Sequence, residues 1–245
     1  MSVLEHLDEL RSRLFRAIGG YVVAFVGCWY FSDPVLQFLL RPIRKHLFEG
    51  DDIVFINVTE PFMIHMKAAA LVAIFVAAPW VLYQMWAFSA PGLYRRERRM
   101  IVPFLAFGTV FFVAGGALGY YAATPRAAEW LIGLGGSYRA SITLRSAFAF
   151  ESRIILAMGA VFELPILIFF LTRLGLVTPG FLLRQFRLAV LVIAVLAAVL
   201  TPTGDMVTMS MFVGPMVLLY LLGIAVSWAF APRERPDEAE AEDEA

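Results

Sequence analysis

Ile101-Val102-Pro103-Phe104-Leu105-Ala106-Phe107-Gly108-Thr109-Val110-Phe111-Phe112-Val113-Ala114-Gly115-Gly116-Ala117-Leu118-Gly119-Tyr120-Tyr121 contains no charged side chain. A helix needs about 20 apolar residues, at 1.5 Å rise each, to cross a hydrocarbon layer about 30 Å thick. This run is long enough. Five others can be marked, at residues 16–31, 68–88, 154–171, 186–200 and 207–230. With 60% hydrophobic residues, 16% charged residues and a mean hydropathy of +0.76, the chain holds more apolar side chain than a soluble domain of its length could bury. The expected fold is an all-α membrane protein with six transmembrane helices.

Run length separates the spans. The second, third, fourth and sixth are comfortable, and the first is short. The fifth offers only about 22 Å of helix before Thr201-Pro202-Thr203-Gly204-Asp205 turns the chain sharply. The fifth and sixth together therefore read as a short hairpin. Pro79, Pro103, Pro165 and Pro215 fall inside runs, where a proline removes a helix hydrogen bond and kinks the axis. Asp205 reads as a turn or helix-cap residue.

Basic residues set the orientation. Arg11, Arg13 and Arg16, then Arg95, Arg96, Arg98 and Arg99, then Arg173, Arg184 and Arg187, and finally Arg233 and Arg235 all fall on one side of a six-span chain. By the positive-inside rule both termini and the loop at 91–99 are cytoplasmic. The opposite segments, 32–67 and 122–153, carry the patches Ile53-Val54-Phe55-Ile56 and Trp130-Leu131-Ile132 and are expected to form a structured periplasmic cap with short helices. Residues 1–231 form one domain on this reading. Residues 232–245 are acidic and read as a disordered cytoplasmic tail.

The leading residues resemble a signal peptide only superficially: Glu5, Asp8 and Glu9 interrupt the basic stretch, no small-x-small cleavage site follows, and the segment is expected to stay in the mature protein. Ser2-Val3-Leu4-Glu5 fits a capping box, so a helix should begin there. Leu4, Leu7, Leu10 and Leu14 then line one face of an amphipathic helix over residues 2–14 that runs into the first span. Glu9 and Arg13 are an i,i+4 pair, and Asp8 and Arg11 an i,i+3 pair.

Three classes of activity find no support. The net charge of zero argues against nucleic acid, whose binders carry an excess of Lys and Arg. An intramembrane protease needs a serine with a histidine, or two aspartates, at bilayer depth; His6, His46 and His65 lie outside the central apolar runs. No phosphate-binding loop, HExxH or GxSxG motif occurs, and the single Cys28 has no neighbours at metal-ligand spacing, so neither metal nor cofactor is expected. Glu163, well inside the fourth run, is costly to ionise there and marks a functional position. Taken alone it also fits a proton relay in a secondary transporter of a small solute, although no internal repeat is visible.

His6-Leu7-Asp8-Glu9-Leu10-Arg11-Ser12-Arg13-Leu14 resembles the N-terminal signature of the TatC family, the multispanning receptor subunits of the twin-arginine protein translocase. Trp86-Ala87-Phe88-Ser89-Ala90-Pro91-Gly92-Leu93-Tyr94, followed by Glu97-Arg98, is similar to the family's second signature, and Phe162-Glu163-Leu164-Pro165 to a third. The resemblance implies a receptor in the bacterial inner membrane for twin-arginine signal peptides. It implies that the receptor oligomerises, assembles with TatA- and TatB-like single-span subunits among membrane lipids, and is driven by the protonmotive force. It also implies that Glu97 receives the paired arginines with Glu9, Arg11 and Phe88 beside it, and that Glu163 meets a polar group on a partner subunit. Tyr94 and Pro165 lie within the matched signatures, and Pro79 and Asp205 are secondary positions. If residues after Pro91-Gly92 are helical, the neighbours of Glu97 are Leu93, Tyr94, Met100 and Ile101 rather than the adjacent arginines, which leaves its carboxylate open to an arginine from elsewhere.

Overall fold

The computed structural model describes residues 3–47, 52–89, 101–135, 138, 141–173, 175–201 and 203–230. The first apolar run and the amphipathic segment before it form one continuous helix, α1 (Val3–Tyr30). At Phe31 the chain turns by 85° into α2 (Ser32–Leu39), followed by the short α3 (Arg41–Arg44). Next come β1 (Ile53–Val54) and α4 (Glu60–Ser89), with Pro79 inside it. The run quoted at the outset forms α5 (Ile101–Leu118) and a π segment (Gly119–Ala123), which continues into α6 (Thr124–Leu134). Then follow β2 (Ile142–Thr143), α7 (Leu144–Phe162), α8 (Leu164–Arg173), α9 (Pro179–Arg184), α10 (Phe186–Leu200) and α11 (Met206–Phe230).

Among the described residues four helical stretches are long and apolar enough to cross a membrane: Glu60–Phe88, Leu105–Leu134, Leu144–Arg173 and Met206–Ala229. The bent pair Glu5–Tyr30 and Ser32–Leu39 gives a fifth if it counts as one span. The fifth apolar run is the 15-residue α10, short as expected. Its partner in the hairpin is not short, because α11 runs unbroken for 25 residues. Asp205 explains the clean start of α11: its Oδ1 accepts from the Thr208 amide at 2.7 Å, and the Thr203 hydroxyl donates to its other oxygen. Gly204 supplies the positive φ, +61°, that the turn requires.

One of the four prolines acts differently from expectation. Pro165 lies at the second position of α8, where a missing N–H costs nothing. Pro165 instead follows a break, since Glu163 caps the C-terminus of α7 and its carbonyl accepts from the amides of Ile166 and Leu167. Thr124-Pro125 does not end the third span either. The wider π turn ahead of it carries the chain past a proline that an ordinary i→i−4 ladder would not tolerate.

Helix pairs pack closely through small residues. A Cβ added at Gly115 of α5 would lie 2.5 Å from the Met158 carbonyl of α7, and one at Gly223 of α11 would lie 2.6 Å from Ile168 Cδ1 of α8. Such close approach compensates for the weak hydrophobic drive between helices in lipid. α1 is tied to α4 by the Trp80 indole, which donates to the Arg16 carbonyl at 2.8 Å, and by the Tyr21 hydroxyl, which donates to the Ala70 carbonyl at 3.2 Å. Outward-facing Val23, Val26, Val76, Val110, Val195 and Val199 are all exposed, as helices bathed in hydrocarbon allow.

The two segments expected to form a cap pack together, and they are not wholly helical. β1 and β2 pair in parallel, Ile53 with Ile142 and Val54 with Thr143, over a core of Leu36, Leu40, Ile43, Ile64 and Phe148. Glu60, buried at the first turn of α4, fastens this end. Its Oε1 accepts from the Arg145 amide at 2.8 Å, and its Oε2 from the amides of Ile56 at 3.1 Å and Asn57 at 3.5 Å.

Candidate functional site

At the end of the bundle opposite the cap, the start of α1 meets the end of α4. The 3.6-residue period places His6, Glu9 and Arg13 along one side of α1, and Gln84 and Phe88, four apart, along one side of α4. The His6 and Phe88 rings stack with centroids 4.5 Å apart and an interplanar angle of 28°. Arg13 bridges the two helices: its Nη2 donates to Glu9 Oε1 at 3.4 Å and its Nη1 to Gln84 Oε1 at 3.4 Å. Gln84 is only 3% exposed, so its carbonyl fixes Arg13 from the protein side.

The consequence for Glu9 is specific. One carboxylate oxygen is held by Arg13, while Oε2 is shielded from solvent and has no hydrogen-bond partner among the described residues. A desolvated carboxylate oxygen without a donor is costly by itself, and a charge-assisted bond from an incoming guanidinium relieves that cost. Arg11 points elsewhere: it is exposed, with its guanidinium 5.8 Å from the centroid of the Phe15 ring. Leu7, Leu10 and Leu14 are exposed as well, so the stripe expected on α1 is an apolar face open to the surroundings.

The structure therefore brings Glu9 and Phe88 into one corner. It keeps Arg11 at the margin. Glu97 and Tyr94, together with the expected helical spacing around them, lie outside the described residues, as do Ser2 of the capping box and the tail 232–245. The chain leaves α4 at Ser89, one residue past Phe88, and resumes at Ile101, so the segment carrying Glu97 starts from this corner. Sequence reading missed Gln84, which stood as a lone polar residue in an apolar run. Its position four before Phe88 was the available signal.

Glu163 is in a second place altogether. It sits at the break between α7 and α8, half-buried, with Oε1 shielded and without a hydrogen-bond partner among the described residues. Two apolar grooves share its side chain. One, about 550 Å³, is lined by Leu14, Ile18, Tyr21, Ala78 and Phe112, and the other, about 260 Å³, by Met85, Trp86, Gly108 and Phe170. No group of three or more His, Cys, Asp or Glu that could hold a metal ion occurs among the described residues.

Residues 5–215 match the family model for TatC, the Sec-independent protein translocase protein. A Sec-independent protein translocase protein TatC from Koribacter versatilis is 42% identical over 99% of this chain and 91% of its own length, and one from Helicobacter pylori is 35% identical over 98% and 94%. The fold superposes on a crystal structure of a twin-arginine translocase receptor, TatC, with a TM-score of 0.79 and 28% identity, covering 91% of this chain and 98% of that one.

Proposed function

Because the chain belongs to the TatC family of Sec-independent translocase subunits, we propose that it is the receptor that binds twin-arginine signal peptides of folded precursor proteins. As a TatC component of the twin-arginine translocase it is a multi-pass membrane transport protein and not an enzyme. The observation that carries the receptor reading is the α1–α4 corner. There a desolvated Glu9 oxygen lacks a donor among the described residues, beside an aromatic stack and at the point where the chain enters the segment that contains Glu97.

In this reading Glu97 takes one arginine of the pair and Glu9 the other, since a carboxylate accepts two parallel N–H bonds from a guanidinium. Phe88, stacked on His6, offers a ring face beside the bound cation. Arg11 contributes at the margin. The six apolar runs cross the inner membrane with both termini and the 91–99 loop in the cytoplasm, and α10 thins the bilayer or packs against a partner because it is short. Residues 1–231 act as one unit, with 232–245 as a cytoplasmic tail. The subunit oligomerises in a receptor complex with TatA- and TatB-like single-span subunits, driven by the protonmotive force and without a cofactor. Glu163, which by itself also fitted a solute pathway, meets a polar group of such a partner where the two grooves converge.

The reading is tested by site-specific crosslinking of a twin-arginine signal peptide to the wild-type protein and to Glu97→Gln and Glu97→Lys. Crosslinking is expected to fall strongly in both, and undiminished crosslinking would remove Glu97 from the site.

A further inference from the structure

A third groove, of about 220 Å³, lies away from Glu163 and near the cap, where α2 meets α4, α5 and α7. Its walls include Phe38, Val72, Val113, Gly116, Tyr121 and Ile155, and apart from the tyrosine hydroxyls they are apolar. Gly116 helps to open it. A Cβ there would lie 2.4 Å from Phe75 Cε1, so only glycine leaves room for the Phe75 ring, which lines the groove and stacks on Phe112 with centroids 4.7 Å apart. Val72 and Val113 belong to the stretches Glu60–Phe88 and Leu105–Leu134, which are long and apolar enough to cross a membrane. From Tyr120 back to Val113 the wall runs about 10 Å along the helix axis, at 1.5 Å per residue. That is most of the hydrocarbon depth of one leaflet, about 15 Å.

The mouth of this groove is aromatic and cationic. Phe38 stacks on Tyr120 with centroids 4.5 Å apart, and the Tyr120 hydroxyl donates to the Phe38 carbonyl at 2.7 Å, which fixes the end of α2 against the π segment. Tyr121, 69% exposed, meets the Tyr120 ring edge-on at 4.7 Å. Tyrosines of this kind settle at the boundary between hydrocarbon and headgroups. Over the Phe38 ring stands a charge: the Arg41 guanidinium lies 5.9 Å from its centroid, within the range of cation–π attraction. The Lys45 amide donates to the Arg41 carbonyl, so α3 and the residue after it form one helical turn; Arg41, Arg44 and Lys45 are exposed, and Pro42 and Ile43 are buried. None of the three cations has an ion-pair partner among the described residues. Asp33, the acid of α2, is taken by the Gln37 amide at 2.9 Å and by His65.

An apolar groove that descends into hydrocarbon from uncompensated cations at headgroup depth complements an amphiphile with a negative head. We propose that this groove is a binding site for an anionic phospholipid of the leaflet at the cap end, with an acyl chain along Val72, Val113 and Gly116 and the phosphate on Arg41. Arg44 and Lys45 add to the field that draws the headgroup. A zwitterionic lipid carries its own ammonium, which competes for the phosphate, so the site selects net negative charge. The site is independent of signal-peptide recognition.

The test uses the full-length protein in phosphatidylcholine nanodiscs doped with phosphatidylglycerol that carries a diazirine on one acyl chain, with adducts located by mass spectrometry after irradiation. Adducts are expected in residues 72–75 and 113–121, and unlabelled phosphatidylglycerol should compete them away. Removing one cation near an anionic headgroup weakens binding about fivefold, so Arg41→Gln should lower labelling by about that factor, whereas Arg41→Lys should keep most of it. Val113→Trp fills the groove from an exposed position with every cation in place, and should also lower labelling. It keeps the test decisive if Arg41→Gln does not fold. Equal labelling by a diazirine phosphatidylcholine would show ordinary surrounding lipid and overturn the proposal. Indifference to Arg41→Gln would overturn the phosphate seat, and indifference to Val113→Trp the acyl-chain seat.

Discussion

Two glutamates at opposite ends of the bundle show how the same side chain can be committed to structure or left for a ligand. At the cap, Glu60 accepts from three backbone amides drawn from two distant parts of the chain. At the other end, Glu9 shares one oxygen with Arg13 at 3.4 Å and keeps the other shielded and without a partner among the described residues. The cap residue is saturated. The corner residue is desolvated already, so a donor that arrives there displaces little water and gains a charge-assisted bond.

Breaking the corner should change recognition and leave folding alone. The largest effect is expected for Glu97→Lys, which replaces an arginine-receiving carboxylate by a like charge and should abolish signal-peptide crosslinking. Glu9→Gln should lower peptide affinity about tenfold, equivalent to about 1.4 kcal/mol, with an unchanged thermal midpoint in detergent. If the midpoint fell as far as the affinity, Glu9 would be structural like Glu60. Glu60→Ala is expected to do the reverse: a clear loss of thermal stability, with the affinity of the remaining folded protein within a factor of two of wild type, read by peptide titration.

The smallest effect belongs to Asp205, which caps α11 near the cap end. Removing a helix N-cap typically costs about 1 kcal/mol, so Asp205→Ala should lower the thermal midpoint modestly without altering peptide binding. Partial burial pushes this carboxyl up, but the Thr203 hydroxyl and the Thr208 amide together hold it below its ordinary value. Its contribution is therefore present above the unfolded pKa, about 4, and is lost as pH falls through the lower folded value. Acid titration of stability should show a shallower decline below about pH 4 in Asp205→Ala than in wild type.

What could be read in advance was local. The apolar runs gave the long helices because hydropathy and length are properties of contiguous residues. Glu9–Arg13 followed from i,i+4 spacing, and Asp205 from its place after a turn. Glu163 stood out because its run contains no other acid. The features that escaped depend on residues far apart in the chain. The β1–β2 ladder pairs Ile53 with Ile142, and neither strand is long enough to announce itself. Gln84 acquires its role only when α1 brings Arg13 to it. Glu151 lies in the 122–153 segment expected outside the membrane, and its burial on α7 is visible only in the folded chain. The reading of the last two runs as a short hairpin holds for one arm only: the run at 207–230 is long enough for a full span, and α11 uses 25 residues.

The central claim, that the α1–α4 corner and its adjoining loop receive paired arginines, is tested most directly by discrimination. Binding of a signal peptide carrying two arginines should be measured against the same peptide carrying two lysines, for the wild-type protein and for Glu9→Gln/Glu97→Gln in lipid nanodiscs. Wild type should prefer the arginine peptide, because only guanidinium offers a planar pair of donors to each carboxylate, and the double variant should bind both peptides equally weakly. A double variant that kept the wild-type preference would contradict the account.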